Sequence, residues 1–437
     1  MSLDTVRRRV AVVGLGARAR LFTEALAGPY ADRYELAGFC DVNPHRMAVH
    51  NQWLGSSVPA YAAEDFGEML EKERIEVVVV CTVDRTHDTY IVQAMEAGCD
   101  VVTEKPMTTD ADRARRILDA RRRTGRDVRV AFNYRYNPVH AAVRETLSSG
   151  LIGEIGSVHF EWLLDLRHGA DYFRRWHRDK ANSGGLMVHK ATHHFDLVNW
   201  WLGTRPETVY AQGNLFFYGD RAGLRRGLAR DYARAHGSPE ADGDPFAVRL
   251  SDSPVLSALY LDAEDADAYH RDQNVFAPGV TIEDDMAVLV RYTSGATLTY
   301  HLTAYAPWEG YRVCFNGSEG RLELLVEEST WTRPDAKLQG DTAVMHGEAV
   351  GDTAGRTELT LRRFWEPARR LDVPAGEGGH GGGDARMLAD LFGTPAADPL
   401  QRAADATDGA RSLVTGLAAN ASFESGGPVR TRDLLDV

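Results

Sequence analysis

The rhythm of hydrophobic and polar positions changes about a third of the way along the chain. Up to about residue 132, short apolar runs alternate with amphipathic ones. "RVAVVGLG", "YELAGFCD", "IEVVVVCT", "DVVTEKP" and "VRVAFN" read as strands. The unbroken apolar stretch in "IEVVVVCT" is what a strand covered on both faces requires. Between them, "PHRMAVHNQWLG" opens on a proline and "THDTYIVQAMEAG" closes on a glycine, each with helical spacing. Strands and helices in alternation with short connections predict βαβ units. The fold class expected here is α/β, a doubly wound parallel sheet of Rossmann type over residues 1–132.

From residue 133 the apolar positions alternate with period two over longer runs: "SVHFEWLLDL", "ETVYAQGNLFFYG", "DMAVLVRYTSG", "ATLTYHLTAYA", "YRVCFNGSEG" and "RLELLVEE". "TSGA" and "NGSEG" are hairpin signals. This pattern predicts an α+β domain over residues 133–437, an open, mainly antiparallel sheet with a few helices on one face. A long polar insertion at about 218–281 interrupts it, the kind of segment that serves as a lid, as an oligomer contact or as mobile chain. "GEGGHGGGD", Gly376 to Asp384, predicts a glycine-rich loop before a helix starting near Ala385.

Composition narrows the class. At roughly 150 residues per domain, 437 residues suggest two or three domains. The net charge of -13, with no long Lys/Arg run, argues against a nucleic-acid partner. No stretch approaches the ~18 apolar residues of a membrane span. Cys40, Cys81, Cys99 and Cys314 form no C-x-x-C pair, so reduced, buried thiols in a cytoplasmic protein are expected. Among the basic residues only Lys72, Lys105, Lys180, Lys190 and Lys337 are lysines. A chain that uses arginine wherever it can keeps lysine preferentially where a compact, titratable amine is needed.

Three stretches carry chemistry. In "VAVVGLGARAR", Gly14, Gly16, Arg18 and Ala19 form a G-x-G-x-x-A turn between strand and helix. Gly14 permits the tight turn, Gly16 lets a pyrophosphate approach the backbone, and the helix N-terminus offers free N–H groups. Asp41, at the end of the next strand, is placed to accept hydrogen bonds from ribose hydroxyls and to repel a 2′-phosphate. NAD is therefore expected over NADP. Glu104 and Lys105 of "TEKP" end a later parallel strand, on the ligand edge of such sheets.

The third stretch is "LMVHKATHHFD", Leu186 to Asp196. In one helix His189, His193, Asp196 and Trp200 share a stripe, and Lys190, His194, Leu197 and Trp201 the adjacent one. Three readings fit: two histidines and an aspartate holding a metal, a solvated polar face, or a catalytic stripe. Without an H-E-x-x-H pattern or an acidic cluster beside it, no metal is expected. Oxidising a secondary alcohol sends a hydride to nicotinamide and a proton to a base. Histidine already titrates near the working pH. His193 is accordingly expected as acid/base and Lys105 as the group polarising the reacting oxygen, with His189 or Lys190 completing the relay.

"GLGARA", "CTVDRTHDTYIVQAMEAGCDVVTEKP", "FNYRYNP", "SGGLMVHKATHHFDLVNWWLG" and "VTGLAANASFESGGPV" together resemble the Gfo/Idh/MocA family of NAD(P)-dependent sugar and cyclitol oxidoreductases. The resemblance implies a Rossmann domain followed by an open sheet bearing the substrate site. It also implies a homo-oligomer, dimer or tetramer. By resemblance Lys105 contacts substrate and nicotinamide. Thr82 and His87 flank the cofactor, with Val83 where a proline is usual, and Arg135, matching the arginine of the family's R-F-N-P segment, is expected to bind the cofactor. Trp176 and Arg178 match a W-x-R pair near the substrate, which Tyr134, Lys190 and His194 would also contact. His193 and Asp196 match H-x-x-D. Many members carry an aspartate where this chain has His189.

Three functions follow. The first is an NAD(P)-dependent dehydrogenase or reductase acting on a CH–OH group of a sugar, cyclitol or glycoside. The second is a glycosidase that retains NAD and cleaves by transient oxidation and elimination. The third is a non-catalytic NAD-binding protein.

Overall fold

The computed structural model describes residues 7–332, 355–373 and 379–437. Part of the glycine-rich stretch, residues 376–378, and the lysine at 337 lie outside them.

Six strands form the first sheet: β1 Arg8–Val13, β2 Tyr34–Cys40, β3 Ala60–Tyr61, β4 Val77–Val80, β5 Asp100–Thr103 and β6 Val128–Val130. Their order is β3-β2-β1-β4-β5-β6, and every pairing is parallel. All four valines of β4 are buried, as a strand with helices on both faces must be. The order reverses between β1 and β4, and the crevice at their carboxyl ends is where open α/β sheets bind ligands.

Nine strands form the second sheet: β7 Ile155–Asp165, β8 Pro206–Asn214, β9 Asp285–Tyr292, β10 Thr297–Ala306, β11 Glu309–Gly317, β12 Gly320–Ser329, β13 Thr357–Arg363, β14 Arg369–Leu371 and β15 Val429–Arg430. The order is β14-β13-β12-β11-β7-β10-β9-β8-β15, antiparallel throughout except for β7 beside β10. Val158, Phe160, Trp162 and Leu164 alternate into the core from β7.

Strand β8 stops at Asn214, short of the run "ETVYAQGNLFFYG". The backbone N–H groups of Phe216, Phe217 and Tyr218 turn instead to the Asp284 carboxylate. The stretch from 186 to 202 is two helices, Leu186–His189 and Ala191–Leu202, meeting at Lys190.

The segment between β8 and β9 is built from short helical turns and is not uniformly polar. Val248, Leu250, Leu256, Leu259 and Tyr260 bury against Ala17 and Val49 of the first sheet's helical layer. All four cysteines are free thiols. Cys40 and Cys99 are buried as expected, whereas Cys81 and Cys314 are half-buried. No helix among the described residues is long and apolar enough to cross a membrane.

Candidate active site

A cleft of about 540 Å³ runs from the carboxyl ends of β1, β2 and β4 to the helix at 186–189, within the range of small-molecule and cofactor sites. At its outer end β1 gives way to Gly14, whose φ of +84° suits glycine. A Cβ there would sit 2.5 Å from Thr82 N, so the turn can lie against the end of β4 only because the side chain is missing. Asp41 accepts hydrogen bonds from the N–H groups of Leu15 (2.5 Å) and Asn43 (2.8 Å), with Arg46 Nη1 at 3.6 Å. Burial pushes its pKa up, opposed by Arg46.

Arg18 caps the first helix and bridges two carboxylates, Glu104 at 2.6 Å and Asp384 at 3.0 Å. Its burial favours loss of charge, but Asp384 and Glu104 outweigh it and the pKa rises. The N–H of Ala17 donates to the Tyr260 hydroxyl at 3.0 Å. Arg46 and Asn43 hold the carbonyls of Leu259 and Ala263. The segment from 218 to 281 thus reaches back over the glycine turn.

At the inner end, Lys105 Nζ donates to the carbonyl of His189 at 3.3 Å. Burial lowers its pKa, while Asp84 and Glu104 pull the other way. His87 places its ring nitrogens against the carbonyls of Pro106 (2.9 Å) and Thr82 (3.0 Å), tying the E-K-P turn to the loop after β4. His189 Nδ1 lies 2.5 Å from Asp84 Oδ2. Burial works against charge on both: it raises the Asp84 pKa and, reinforced by Lys105, lowers that of His189. The pair is best described as sharing one proton.

His193 lines the same cleft and stacks on the Tyr134 ring, centroids 4.2 Å apart. Lys190 Nζ donates to the Tyr134 hydroxyl at 3.2 Å and lies over the Trp162 ring. Its burial brings the pKa down to about 8. Behind it, His168 links Glu309 (2.8 Å) to the hydroxyl of Tyr172 (3.1 Å), which faces the cleft.

Gly14, Gly16, Arg18, Asp41, Thr82, His87, Glu104, Lys105, Tyr134, Trp176, His189, Lys190 and His193 all line this one cleft. Ala19 sits behind the turn, fully buried. Three expected residues lie elsewhere. Arg135 is spent on Asp196 through two hydrogen bonds, at 2.8 and 2.6 Å, with Asp408 at 3.4 Å. Arg178 grips Gln273 and the carbonyls of Asn274, Ala277 and Pro278, closing the long segment. His194 hydrogen-bonds Tyr300 at 2.6 Å and stacks on Trp162, below the cleft floor. Among the described residues no group of three or more His, Cys, Asp or Glu side chains is placed to hold a metal ion.

Asp84, Tyr172, Arg175 and His177 join the lining without having been singled out by sequence. Asp84 and Arg175 stand within or beside quoted motifs, so proximity to Thr82 and Trp176 was the available signal.

The glycine turn and the Asp41 carboxylate fit an adenine dinucleotide, with the Leu15 and Ala17 N–H groups held by Asp41 and the Tyr260 hydroxyl. Backbone approach is open at Gly16, where an added Cβ would meet only the Tyr260 hydroxyl.

Comparison with known proteins agrees. Residues 8–132 match the "Oxidoreductase family, NAD-binding Rossmann fold". Residues 144–431 match the "Oxidoreductase family, C-terminal alpha/beta domain". The chain is 34% identical over 449 aligned residues to YteT of Bacillus subtilis, whose name places it among the oxidoreductases; the match covers 98% of this chain and 99% of that one. It is 28% identical to inositol 2-dehydrogenase of Rubrobacter xylanophilus over 48% of this chain and 56% of that protein, about half of each. An oxidoreductase domain protein from Kribbella flavida superposes with a TM-score of 0.67 at 18% identity, covering 97% and 99% of the two chains, a likeness of fold. With both of the family's domains matched in order and YteT similar along its whole length, the chain belongs to the Gfo/Idh/MocA oxidoreductases and is an NAD(P)-dependent enzyme acting on alcohol groups.

Proposed function

We propose that the enzyme moves a hydride between nicotinamide and a secondary alcohol or ketone of a hydroxyl-rich small molecule, a sugar, cyclitol or glycoside. The observation that carries this reading is the meeting of Lys105, His193 and the Asp84–His189 pair at the inner end of the cleft. When bound, the dinucleotide supplies the hydride acceptor. Lys105, its pKa lowered by burial, donates a hydrogen bond to the reacting oxygen and steadies developing negative charge there. His193 takes the hydroxyl proton, held in plane by its stack on Tyr134. Asp84 and His189 supply a carboxylate-linked proton store. Replacing either Lys105 or His193 by alanine is expected to lower kcat by about 10²–10⁴ with NAD affinity nearly unchanged. Near wild-type turnover in both variants would discard the assignment.

NAD is the cofactor this reading prefers. Asp41 is buried against two backbone donors and would meet a 2′-phosphate with its own negative charge. NADP should bind at least tenfold more weakly than NAD in a calorimetric titration, and Asp41→Ala should narrow the gap. Equal affinities in the wild type would remove the preference.

One observation favours a second reading, an enzyme that keeps its NAD and cleaves a glycosidic bond by transient oxidation and elimination. The segment lying over the glycine turn, tied through Tyr260, Arg46 and Asn43, would slow cofactor release. Glycosidic cleavage without net NADH supports it. NADH accumulating in proportion to oxidised sugar supports the first.

A further inference from the structure

Three guanidinium groups surround the single carboxylate of Asp171. Arg175 Nε lies 2.8 Å away, Arg174 Nη1 3.7 Å and Arg271 Nη2 3.9 Å. Asp171, Arg174 and Arg271 are each at most 4% exposed. One carboxylate balances one of three charges, and uncompensated charge in a buried setting is costly. Arg174 also donates to the Phe246 carbonyl, and Arg271 lies over the Tyr260 ring.

Of the three, only Arg175 lines the cleft. Asp171 holds its Nε through the carboxylate and the backbone carbonyl, which fixes the plane of the guanidinium. The edge formed by Nη1 and Nη2 then matches a carboxylate in a two-point pair.

The position is informative. Arg175 bears on the ionisation of Asp84, Lys105, His177 and His189, all at the inner end. At the outer end the cations already have partners: Arg18 has Glu104 and Asp384, Arg20 has Glu24, and Arg46 has Asp41 and Asp267. At the inner end, Lys105, Arg175 and Lys190 share the cleft with Asp84 and Glu104, both of which act on Lys105, while Glu309 and Glu328 act on Lys190. The cluster of three arginines around one aspartate thus presents its cleft-lining member, Arg175, at the inner end, where the substrate would sit.

We propose that Arg175 binds a substrate carboxylate, so that this site takes a sugar acid of the uronate or aldonate kind in preference to a neutral polyol. This rests on reading the cleft as the dehydrogenase site and deepens that reading. The other source of an anion is the pyrophosphate of the dinucleotide itself, and the test separates the two.

The NAD-loaded protein is titrated calorimetrically with D-glucuronate, D-galacturonate and D-gluconate, and with D-glucose, D-galactose and myo-inositol. At least one acid should bind tenfold or more tightly than its neutral counterpart, with the advantage shrinking as salt rises. Arg175→Met should lose that advantage, with neutral sugars and NAD affinity changed less than twofold, and Arg175→Lys should keep part of it. Neutral sugars binding as well as the acids, or no acid binding at all, would overturn the proposal while NAD uptake leaves the dehydrogenase reading intact. So would an Arg175→Met variant that weakens NAD and leaves the acid preference alone, since the anion would then be pyrophosphate. The wild-type comparison stands even if that variant fails to fold. Absence of NAD uptake would sink both readings.

Discussion

At the scale of single residues, the site turns on where a carboxylate comes from. Position 189, where the resemblance leads to the expectation of an aspartate, is histidine here, and Asp84 approaches its Nδ1 from the loop after β4 at 2.5 Å. His189→Asp should therefore not restore a familiar site. It would set two buried carboxylates against each other, and like charges at such range cannot both ionise. Turnover should fall by about 10²–10⁴, and adding Asp84→Asn should recover at least tenfold. A His189→Asp enzyme as active as wild type would show that the pair has no part in catalysis. Sequence alone exposes Lys105 and His193, because a strand end and a helical stripe locate them. It cannot expose the pairing of residues 84 and 189, which depends on how two sheets meet. It also misplaces Arg135, Arg178 and His194. Arginine and histidine look the same in a motif whether they face a ligand or pair with a buried carboxylate, carbonyl or hydroxyl, as these do.

At the scale of elements, strands were the legible part. The buried run of β4 and the alternation of β7 are written locally, one residue per face. The segment from 218 to 281 was not legible beyond its existence. Its apolar residues are scattered among Asp, Arg and Ala, with no period to mark a face. Their partner surface, around Ala17 and Val49, lies some two hundred positions earlier. That packing gives the segment a job at the cofactor. Tyr260 puts its hydroxyl on the Ala17 N–H and its ring in the cluster that joins the segment to the first sheet's helices. Tyr260→Ala should loosen this cover and speed NAD dissociation by about tenfold, roughly 1.4 kcal/mol of barrier, measured by stopped-flow displacement. An unchanged off-rate would mean that the segment merely rests on the turn.

At the scale of the whole molecule, the parallel sheet is completed by the far end of the chain. Met387, Leu388 and Phe392, from the helix Gly383–Phe392, pack with Phe22 and Tyr34 on one side of that sheet. Ala406, Ala410, Leu413 and Val414, from the helix Ala406–Ser425, share a cluster with Met107, Val130 and Phe132 on the other. Val130 N–H donates to the carbonyl of Ala404 at 3.0 Å, and the Arg129 backbone pairs with that of Asp405 in an isolated antiparallel β-bridge, so the tail also covers the edge strand β6. The Arg135–Asp196 pair, with Asp408 beside it, fastens the turn after β6 to helices on both sides. Residues 1–132 alone would leave part of each apolar face and an open sheet edge in water. Unfolding should consequently be cooperative across the two sheets, a single calorimetric transition whose van't Hoff and calorimetric enthalpies agree. A fragment ending at residue 132 should bind hydrophobic dye and fail to take up NAD. Two resolved transitions in the full chain, or a 1–132 fragment that folds and binds NAD, would mean that the tail helices decorate the first sheet without completing it.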